Sequence, residues 1–529
     1  MSDPQNDYAR QQILIAALRD PRRYPHAAHS VQLIETHISW VLLAGDYAYK
    51  IKKAIDLGFL DYTRLDARRF YCGEEIRLNR RTAPDIYLDT VAIGGSLEKP
   101  EFGAQPAFEY AVKMRRFDSA GLMGDLLRRG KISAQQTDRL AAGIARFHAS
   151  LPAADAGSSF GTAASVKAAA MQNFGQLRAL LTAKADRESI AALEASTEAE
   201  FADCREIFET RRRQGFVREC HGDLHLGNIV LIGDELVPFD GIEFNPALRW
   251  IDVMDEIAFS VMDLLHRDHP GEAWRLLNAW LEAGGDYGGL SVLRFYLAYR
   301  AAVRAKVCAI RAGQADISRH AQSGELAACR RYLALARQCL GQYRPALIIT
   351  HGLPGSGKTT FSQLALQRMG AIRIRSDVER KRLFGLGALE SSRPQAGNIY
   401  SPEATRQTYA RLHELAGGII TAGFTAIVDA AFLRQDERDM FCRLAQGLAV
   451  PFAIASLHAD DSKLRERLRQ RRNDASEADV AVLEMLQAGQ QPLSARDLAR
   501  SVEFTTEEAP DSKANRQAWD KLARLSGSA

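Results

Sequence analysis

What the chain has little of narrows the question first. Its seven cysteines, Cys72, Cys204, Cys220, Cys308, Cys329, Cys339 and Cys442, are scattered, odd in number and without any C-x-x-C pair. That pattern excludes a disulfide framework and a thiol-based zinc site, and predicts reduced, mostly buried thiols. Charge of one sign is also scarce: 69 basic residues face 65 acidic ones, a formal net charge of +4, too small to mark a nucleic-acid or membrane surface by itself. Long apolar runs are absent, since uncharged stretches such as Leu415 to Val428 are too short to span a bilayer, and the start MSDPQNDYAR lacks an apolar signal segment. The expectation is a cytoplasmic protein with no membrane partner. No repeat or low-complexity segment stands out, and 46% hydrophobic with 25% charged residues is ordinary for packed domains.

The length of 529 residues exceeds what one core supports, and at roughly 100–200 residues per domain it predicts at least two. Loose alternation through ISWVLLAGDYAYKIKK, with Gly45-Asp46 as turn, predicts a β-hairpin; Leu65 to Arg81 reads as a helix and Phe108 to Met114 as a strand. Helical patterns fill about 137–210 and 250–342, separated by short strands near Ile229–Ile232 and Leu236–Phe239. After Tyr343-Arg344-Pro345 the grammar changes. Short apolar strands, ALIIT, Ile372 to Arg375, Ala426 to Val428 and Phe452 to Leu457, alternate with helices, which is the signature of an α/β parallel sheet. The boundary is placed at 342, giving domains 1–342 and 343–529.

The string Gly352-Leu353-Pro354-Gly355-Ser356-Gly357-Lys358-Thr359, followed by Thr360, satisfies G-x-x-x-x-G-K-[ST] between a strand and a helix. Glycines let the backbone curl with its N–H groups around a phosphate. Lys358 is expected to reach the β- and γ-phosphates of ATP and the Thr359 hydroxyl to meet Mg²⁺. Three further features favour a kinase. Asp377 follows the strand Ile372–Arg375, where ligands bind in open sheets, and can orient or deprotonate an acceptor hydroxyl; a helix N-cap is the plainer role. Asp429 ends another strand and suits support of Mg²⁺. The helix LRERLRQRR carries Arg465, Arg467, Arg469, Arg471 and Arg472, either a lid that neutralises the transferred phosphoryl group or a solvated basic face. Together GLPGSGKTT, SDVERKRL, IVDAAF and RLRQRRNDASEAD resemble the zeta-toxin-type P-loop kinases over most of 345–510. That resemblance implies a small or nucleotide-sugar acceptor, Asp377 as its base, and Arg465, Arg467 and Arg471 as lid arginines.

A second constellation lies upstream. HGDLHLGN, His221 to Asn228, is followed by Asp240 and Glu243 in VPFDGIEF. Phosphoryl transfer from Mg·ATP needs a carboxylate near the attacking hydroxyl and oxygen ligands on the metal, and Asp223, Asn228 and Asp240 fit those roles. His221 and His225 read as loop braces, with no third nitrogen or sulfur to support zinc. The string resembles the catalytic loop of aminoglycoside phosphotransferase-like kinases, which implies a bilobal α+β protein-kinase-like fold over about 30–340, Asp240 and Glu243 at the metal, and a strand lysine held by a helix carboxylate. In YAYKIKK either Lys50 or Lys52 can be that lysine and Glu75 that carboxylate; YAVKM at 110–114 reads as the strand before the interlobe hinge. No G-x-G-x-x-G precedes Lys50.

In outline the chain resembles bacterial fusions of an aminoglycoside phosphotransferase-like domain with a P-loop kinase of AAA type. The expectation is two Mg·ATP-dependent sites, each phosphorylating a hydroxyl of a small molecule. Alternatives are a C-terminal ATPase switch governing the upstream kinase, a nucleotide-sensing pseudokinase, and a kinase of nucleic-acid 5′-hydroxyl ends, against which the near-neutral charge and lack of an aromatic-basic stripe count. The acceptors and the oligomeric state are not legible in the sequence.

Overall fold

A computed structural model describes residues 4–58, 60–314, 317–392, 399–470, 475–506 and 512–527, with side chains from residue 7 onward. Packing divides the chain into two compact units, residues 1–169 with 208–263, and residues 170–207 with 264–529. The parallel sheet of the second unit starts at Leu347, and the helices between 264 and 340 group with it. One of them covers the open edge of that sheet.

The first unit is built on six strands, β1 (Val31–Glu35), β2 (Ser39–Ala44), β3 (Tyr47–Lys52), β4 (Tyr87–Gly95), β5 (Pro100–Phe102) and β6 (Glu109–Arg115). They form an antiparallel sheet in the order β1-β2-β3-β6-β4-β5. The expected hairpin is β2–β3, turning at Gly45-Asp46 with Ala44 opposite Tyr47. Period-two alternation sorts β3 cleanly. Tyr49 and Ile51 pack with Trp40, Leu42 and Leu14 in one cluster, while Ala48 joins Cys72, Ile76 and Val112 of the other, beneath the helix Leu65–Asn79. Lys50 and Lys52 share Ala48's parity and so point under that helix. Downstream, β7 (Val217–Glu219) pairs with β10 (Trp250–Asp252), and β8 (Ile229–Ile232) forms a hairpin with β9 (Glu235–Pro238). The HGDLHLGN loop spans the gap between β7 and β8 and lies beside the helix Val253–His266.

In the second unit β11 (Leu347–His351), β12 (Ile372–Arg375), β13 (Ala426–Asp429), β14 (Phe452–His458) and β15 (Ser501–Thr505) make a parallel sheet in the order β12-β13-β11-β14-β15. Every residue of β11 and β13 is buried, as expected for strands covered on both faces. The expected fold class is present: an α+β region with an antiparallel sheet under one helix, then an α/β P-loop domain with a parallel sheet. β15 was not anticipated; its short, half-polar run SVEFT sits at a sheet edge, where apolar patterning weakens.

β12 forms the other edge, and its free hydrogen-bonding groups are covered by the helix Pro270–Gly284. Asn278 acts as a substitute strand: its amide donates to Ala371 O at 3.0 Å and its oxygen accepts from Arg373 N at 2.7 Å. One side chain thus satisfies two backbone groups of an edge that would otherwise be open to pairing. All seven cysteines are free and buried, and among the described residues no helix is long and apolar enough to cross a membrane.

Candidate functional site

In the first unit the charged residues singled out in the sequence converge. Lys50 Nζ donates to Glu75 Oε1 at 2.8 Å and to Asp240 Oδ1 at 2.6 Å. Lys52 Nζ donates to Glu75 Oε2 at 2.7 Å and to Glu243, which also accepts from the Tyr62 hydroxyl at 2.6 Å. Two ammonium groups therefore face three carboxylates, with Lys52 and Glu75 wholly buried and Asp240 partly exposed. Burial pulls the Lys50 ammonium down, but Asp240, Glu75 and Glu243 overcome it and hold its pKa well above the ordinary value. Burial likewise pushes Glu75 up, yet Lys50 and Lys52 bring it down to about 2. The shifts of Lys50 and Glu75 both favour the charged form, each held by the other.

The two lysines are distinguished by geometry. Lys50 touches the carboxylate nearest solvent, whereas Lys52 is enclosed between Glu75 and Glu243. Lys113, in the YAVKM strand, lies over the Tyr47 ring and belongs to neither pair.

Asp240 has φ 63°, a left-handed conformation unusual for a residue with a side chain. It is held there by two groups the sequence did not point to. Asp240 N donates to the Tyr87 hydroxyl at 3.0 Å, and Gly241 N donates to Asn79 Oδ1 at 2.7 Å. Strain retained by its surroundings at a charged residue is characteristic of a functional position.

The HGDLHLGN loop is fixed by carboxylates of the helix Val253–His266. Glu256 accepts from His221 N at 2.6 Å and Gly222 N at 2.9 Å, Asp263 accepts from Leu226 N at 3.0 Å, and the Ser260 hydroxyl donates to Leu224 O at 2.5 Å. Spacing of three and four places these residues on one helix face. Sequence reasoning missed them, though that spacing was readable. Within the loop Asn228 Nδ2 donates to Asp223 Oδ2 at 2.9 Å, and His225 Nε2 lies 3.5 Å from the same oxygen. The amide thereby turns its own oxygen away from Asp223. His221 Nε2 bonds Phe239 O at 2.8 Å, and burial lowers its pKa to about 4, so it is a neutral brace. His148, Cys220 and Glu256 come within 4.8 Å of one another. Both Glu256 oxygens already accept backbone amides, so this cluster is a packing element behind the loop.

Asn228 lies against Asp223, and Phe239, next to Asp240, donates its N–H to Asn228 O; an amide and a carboxylate so placed suit a hard cation such as Mg²⁺. Glu243 is committed to Lys52 and Tyr62 instead of lying open.

In the second unit the string from Gly352 to Thr359 forms a loop from β11 into the helix Lys358–Met369. Gly355 and Gly357 have φ 84° and 89°, and a Cβ on Gly357 would lie 2.8 Å from Thr506 Cγ2; both facts require glycine. The N–H groups of Gly355, Gly357 and Thr359 donate to no backbone carbonyl among the described residues, and the buried Ser356 hydroxyl has no hydrogen-bond partner. Several donors thus converge at a helix N-terminus, an arrangement built for an anion. Lys358 Nζ rests on the carbonyls of Gly352 and Leu353, each at 2.9 Å.

A cavity of about 650 Å³ opens over this loop, lined by Lys358, Thr359, Thr360, Asp377, Asp429 and Arg467 among others. Asp377 lies in the first turn of the helix Ser376–Leu383 directly after β12, at the carboxyl edge of the sheet. Asp429 Oδ2 accepts from the Ser362 hydroxyl at 2.9 Å and lies 4.0 Å from Arg375 Nε; both interactions fall on one oxygen. Thr359 and Asp429 both line this cavity, and a hydroxyl with a carboxylate fits Mg²⁺.

The arginines of the helix Asp461–Gln470 divide. Arg467 donates to Gly355 O at 3.1 Å and to Thr506 Oγ1 at 2.9 Å, so it lies across the P-loop. Arg465 pairs with Asp461 and Glu484 at 2.7 and 2.8 Å and does not line the cavity. Helical geometry separates them, because residues two apart face different ways. Arg471, like Arg472, lies outside the described residues. Beyond Arg467 a second cleft of about 310 Å³ is lined by Phe361, Phe504, Thr506, Asn515 and Trp519; its β15 side was not legible because that strand was not.

A family model described as an AAA domain matches residues 347–493. An uncharacterized protein of Mycobacterium tuberculosis H37Rv is 28% identical over 466 residues, 87% of this chain and 90% of the relative. Among solved structures, a choline/ethanolamine kinase family protein from Mesorhizobium loti is 13% identical and covers 63% of this chain and 99% of its own, with a TM-score of 0.36. A gluconokinase from Sinorhizobium meliloti 1021 is 20% identical and covers 35% of this chain and 97% of its own, with a TM-score of 0.27.

Proposed function

We propose that the chain is a bifunctional ATP-dependent phosphotransferase with catalytic modules at 1–342 and 343–529, each passing the γ-phosphoryl group of ATP to a hydroxyl of a small molecule. The observation that carries the reading is the meeting of Lys358, Thr359, Asp377, Asp429 and Arg467 around one cavity above a loop with unpaired amide donors. An ATPase switch needs the loop and the metal carboxylate; it does not need a second carboxylate, Asp377, in the same cavity.

In this module the loop amides and Lys358 bind the phosphates, Asp377 holds the acceptor hydroxyl and takes its proton, and Arg467 neutralises charge on the group in transit. Bound Mg²⁺, held by Thr359 and Asp429, supplies Lewis-acid stabilisation of the phosphate oxygens. Arg380 also lines the cavity; it is buried, donates to Ile399 O and Thr405 Oγ1, and its Nε has no hydrogen-bond partner. That guanidinium favours an acceptor bearing a carboxylate or phosphate beside its hydroxyl.

In the first module Lys50 grips the phosphates, Glu75 holds Lys50, and Lys52 with Glu243 holds Glu75. Asp223 receives the acceptor proton, while Asn228 and Asp240 provide the oxygen ligands for Mg²⁺. The test is a metabolite-extract screen with radiolabelled ATP on the wild type and on Asp223→Ala and Lys358→Ala. Two labelled products, each lost in one variant, are expected; a product untouched by Asp223→Ala and Lys358→Ala alike would sink the reading.

A further inference from the structure

The helix Pro270–Gly284 precedes the P-loop domain in sequence, yet it reaches the metal side of the P-loop site. Glu282, near its end, is the residue that does so. Its Oε2 accepts from Arg373 Nη2 at 2.9 Å and its Oε1 from Arg375 Nη1 at 3.0 Å. Both arginines lie on β12 and are largely buried, with side-chain exposures of 7% and 12%. The same two arginines approach the groups under the P-loop: Arg375 Nε lies 4.0 Å from Asp429 Oδ2, and Arg373 Nη1 lies 3.5 Å from the Ser362 hydroxyl that donates to that oxygen.

Two guanidinium charges thus stand beside two carboxylates, Glu282 and Asp429, in a low-dielectric region where unbalanced charge is expensive. Arg375 Nε already lies 4.0 Å from Asp429 Oδ2, and a closer pair between them would take that carboxylate from a metal ion. Burial pushes Glu282 up, but the two arginines overcome it and hold its pKa below the usual glutamate value, so it is the ionised partner they need.

We propose that Glu282 is a positioning residue of the P-loop site, holding Arg373 and Arg375 back from a close pair with Asp429 so that Asp429 stays available to Mg²⁺. The site at 352–359 is then completed by a helix from before residue 342, and a displacement of that helix changes metal affinity in the P-loop module. The inference rests on the reading of Asp429 as a metal carboxylate. Two contacts tie the helix to the same strand and to the Asp377 helix: Asn278 pairs with the β12 edge, and Arg382 donates to Glu282 O.

The experiment uses the full chain. Equilibrium titration with ATP is followed over a range of Mg²⁺ concentrations, and the part of the binding that Lys358→Ala removes is assigned to the P-loop. Within that part, Glu282→Gln is expected to raise the Mg²⁺ concentration for half-maximal binding roughly tenfold, the scale on which outer partners tune metal sites, with Mg²⁺-free binding unchanged. Adding Arg375→Gln to Glu282→Gln is expected to restore the wild-type midpoint, a rescue that a merely structural glutamate would not show. An unchanged midpoint in Glu282→Gln, or no rescue in the double variant, overturns the proposal. If Glu282→Gln does not fold, Arg375→Gln alone decides: a lowered midpoint supports the proposal, and no change or a rise overturns it. If Lys358→Ala removes no binding, the P-loop reading falls first and this inference falls with it.

Discussion

At the P-loop, amides of Gly355, Gly357 and Thr359 stand without backbone acceptors before any ligand arrives, whereas in the first unit both candidate lysines already hold carboxylates. The first arrangement is built by the backbone, the second by side chains that satisfy one another. A ligand at the P-loop would gain hydrogen bonds from amides that donate to no backbone carbonyl; one at the first unit would have to compete with Asp240 for Lys50. The consequence is a division of labour among residues. Side chains of the P-loop site can be removed with little effect on folding, because the loop's shape comes from glycines and a helix start. Side chains of the lysine–glutamate network cannot, because each neutralises another away from water.

The comparison breaks first at catalysis. Asp223→Ala is expected to reduce phosphoryl transfer by the first module roughly 10³-fold, in the range for loss of a positioned general base, with the product of the P-loop module unaffected. Single-turnover assays with each module's labelled product measure this; parallel loss of both products would mean that the sites are one. Stability separates them next. Lys52→Met leaves Glu75 and Glu243 buried beside a neutral chain, and is expected to destabilise the first unit by about 3–5 kcal/mol, the cost of breaking a buried pair. Lys358→Met, whose ammonium rests on two carbonyls, is expected to abolish nucleotide binding at its site with a denaturation midpoint close to wild type. Equal destabilisation in urea would erase the distinction.

How much of this was readable depends on how local each site is. The P-loop is a contiguous string whose shape follows from its glycines, and Asp377 and Asp429 were visible as carboxylates just past apolar strands, so that half was legible almost residue by residue. The HGDLHLGN loop was legible for the same reason. The choice between Lys50 and Lys52 was not: both share a strand face and both touch Glu75, and they differ only in reaching Asp240 or Glu243 across about 190 positions of chain. Glu256 and Asp263 lay in a helical run where carboxylates are ordinarily expected to face solvent, yet here they are buried against the loop. Asn278 and Glu282 were invisible because an edge strand does not announce in sequence what covers it.

Acid sharpens the comparison on a smaller scale. Burial lowers His148 to about 3 and His221 to about 4 in the first unit, and His351 to about 4 in the second. All three are neutral when folded, while the unfolded chain titrates near 6.5. Between those values the unfolded state binds more protons, so stability is complete above pH 6.5 and is lost as pH falls toward the folded pKa. By pH 5 each buried histidine withdraws roughly 2 kcal/mol. With two in the first unit against one in the second, hydrogen exchange at pH 5 is expected to show the 221–228 loop losing more protection than 352–359. Equal loss would mean that the units unfold together.

The smallest expected effect tests the arginine helix, where sequence spacing alone left five candidates. Arg467 donates to the P-loop carbonyl of Gly355 and lines the cavity; Arg465, two residues earlier, is turned to Asp461 and Glu484 at the surface. If the helix serves as a lid over the transferred group, Arg467→Ala should slow turnover of the P-loop module roughly tenfold, the worth of one charge-assisted hydrogen bond, with nucleotide affinity little changed, since the amides and Lys358 carry the binding. Arg465→Ala should leave both quantities at wild-type values, because exposed ion pairs of this kind contribute little. Separate kcat and KM measurements on the two variants distinguish a lid from a basic surface: equal effects, or none, return the helix to solvent and leave the P-loop module to rely on Lys358, Asp377 and its backbone amides.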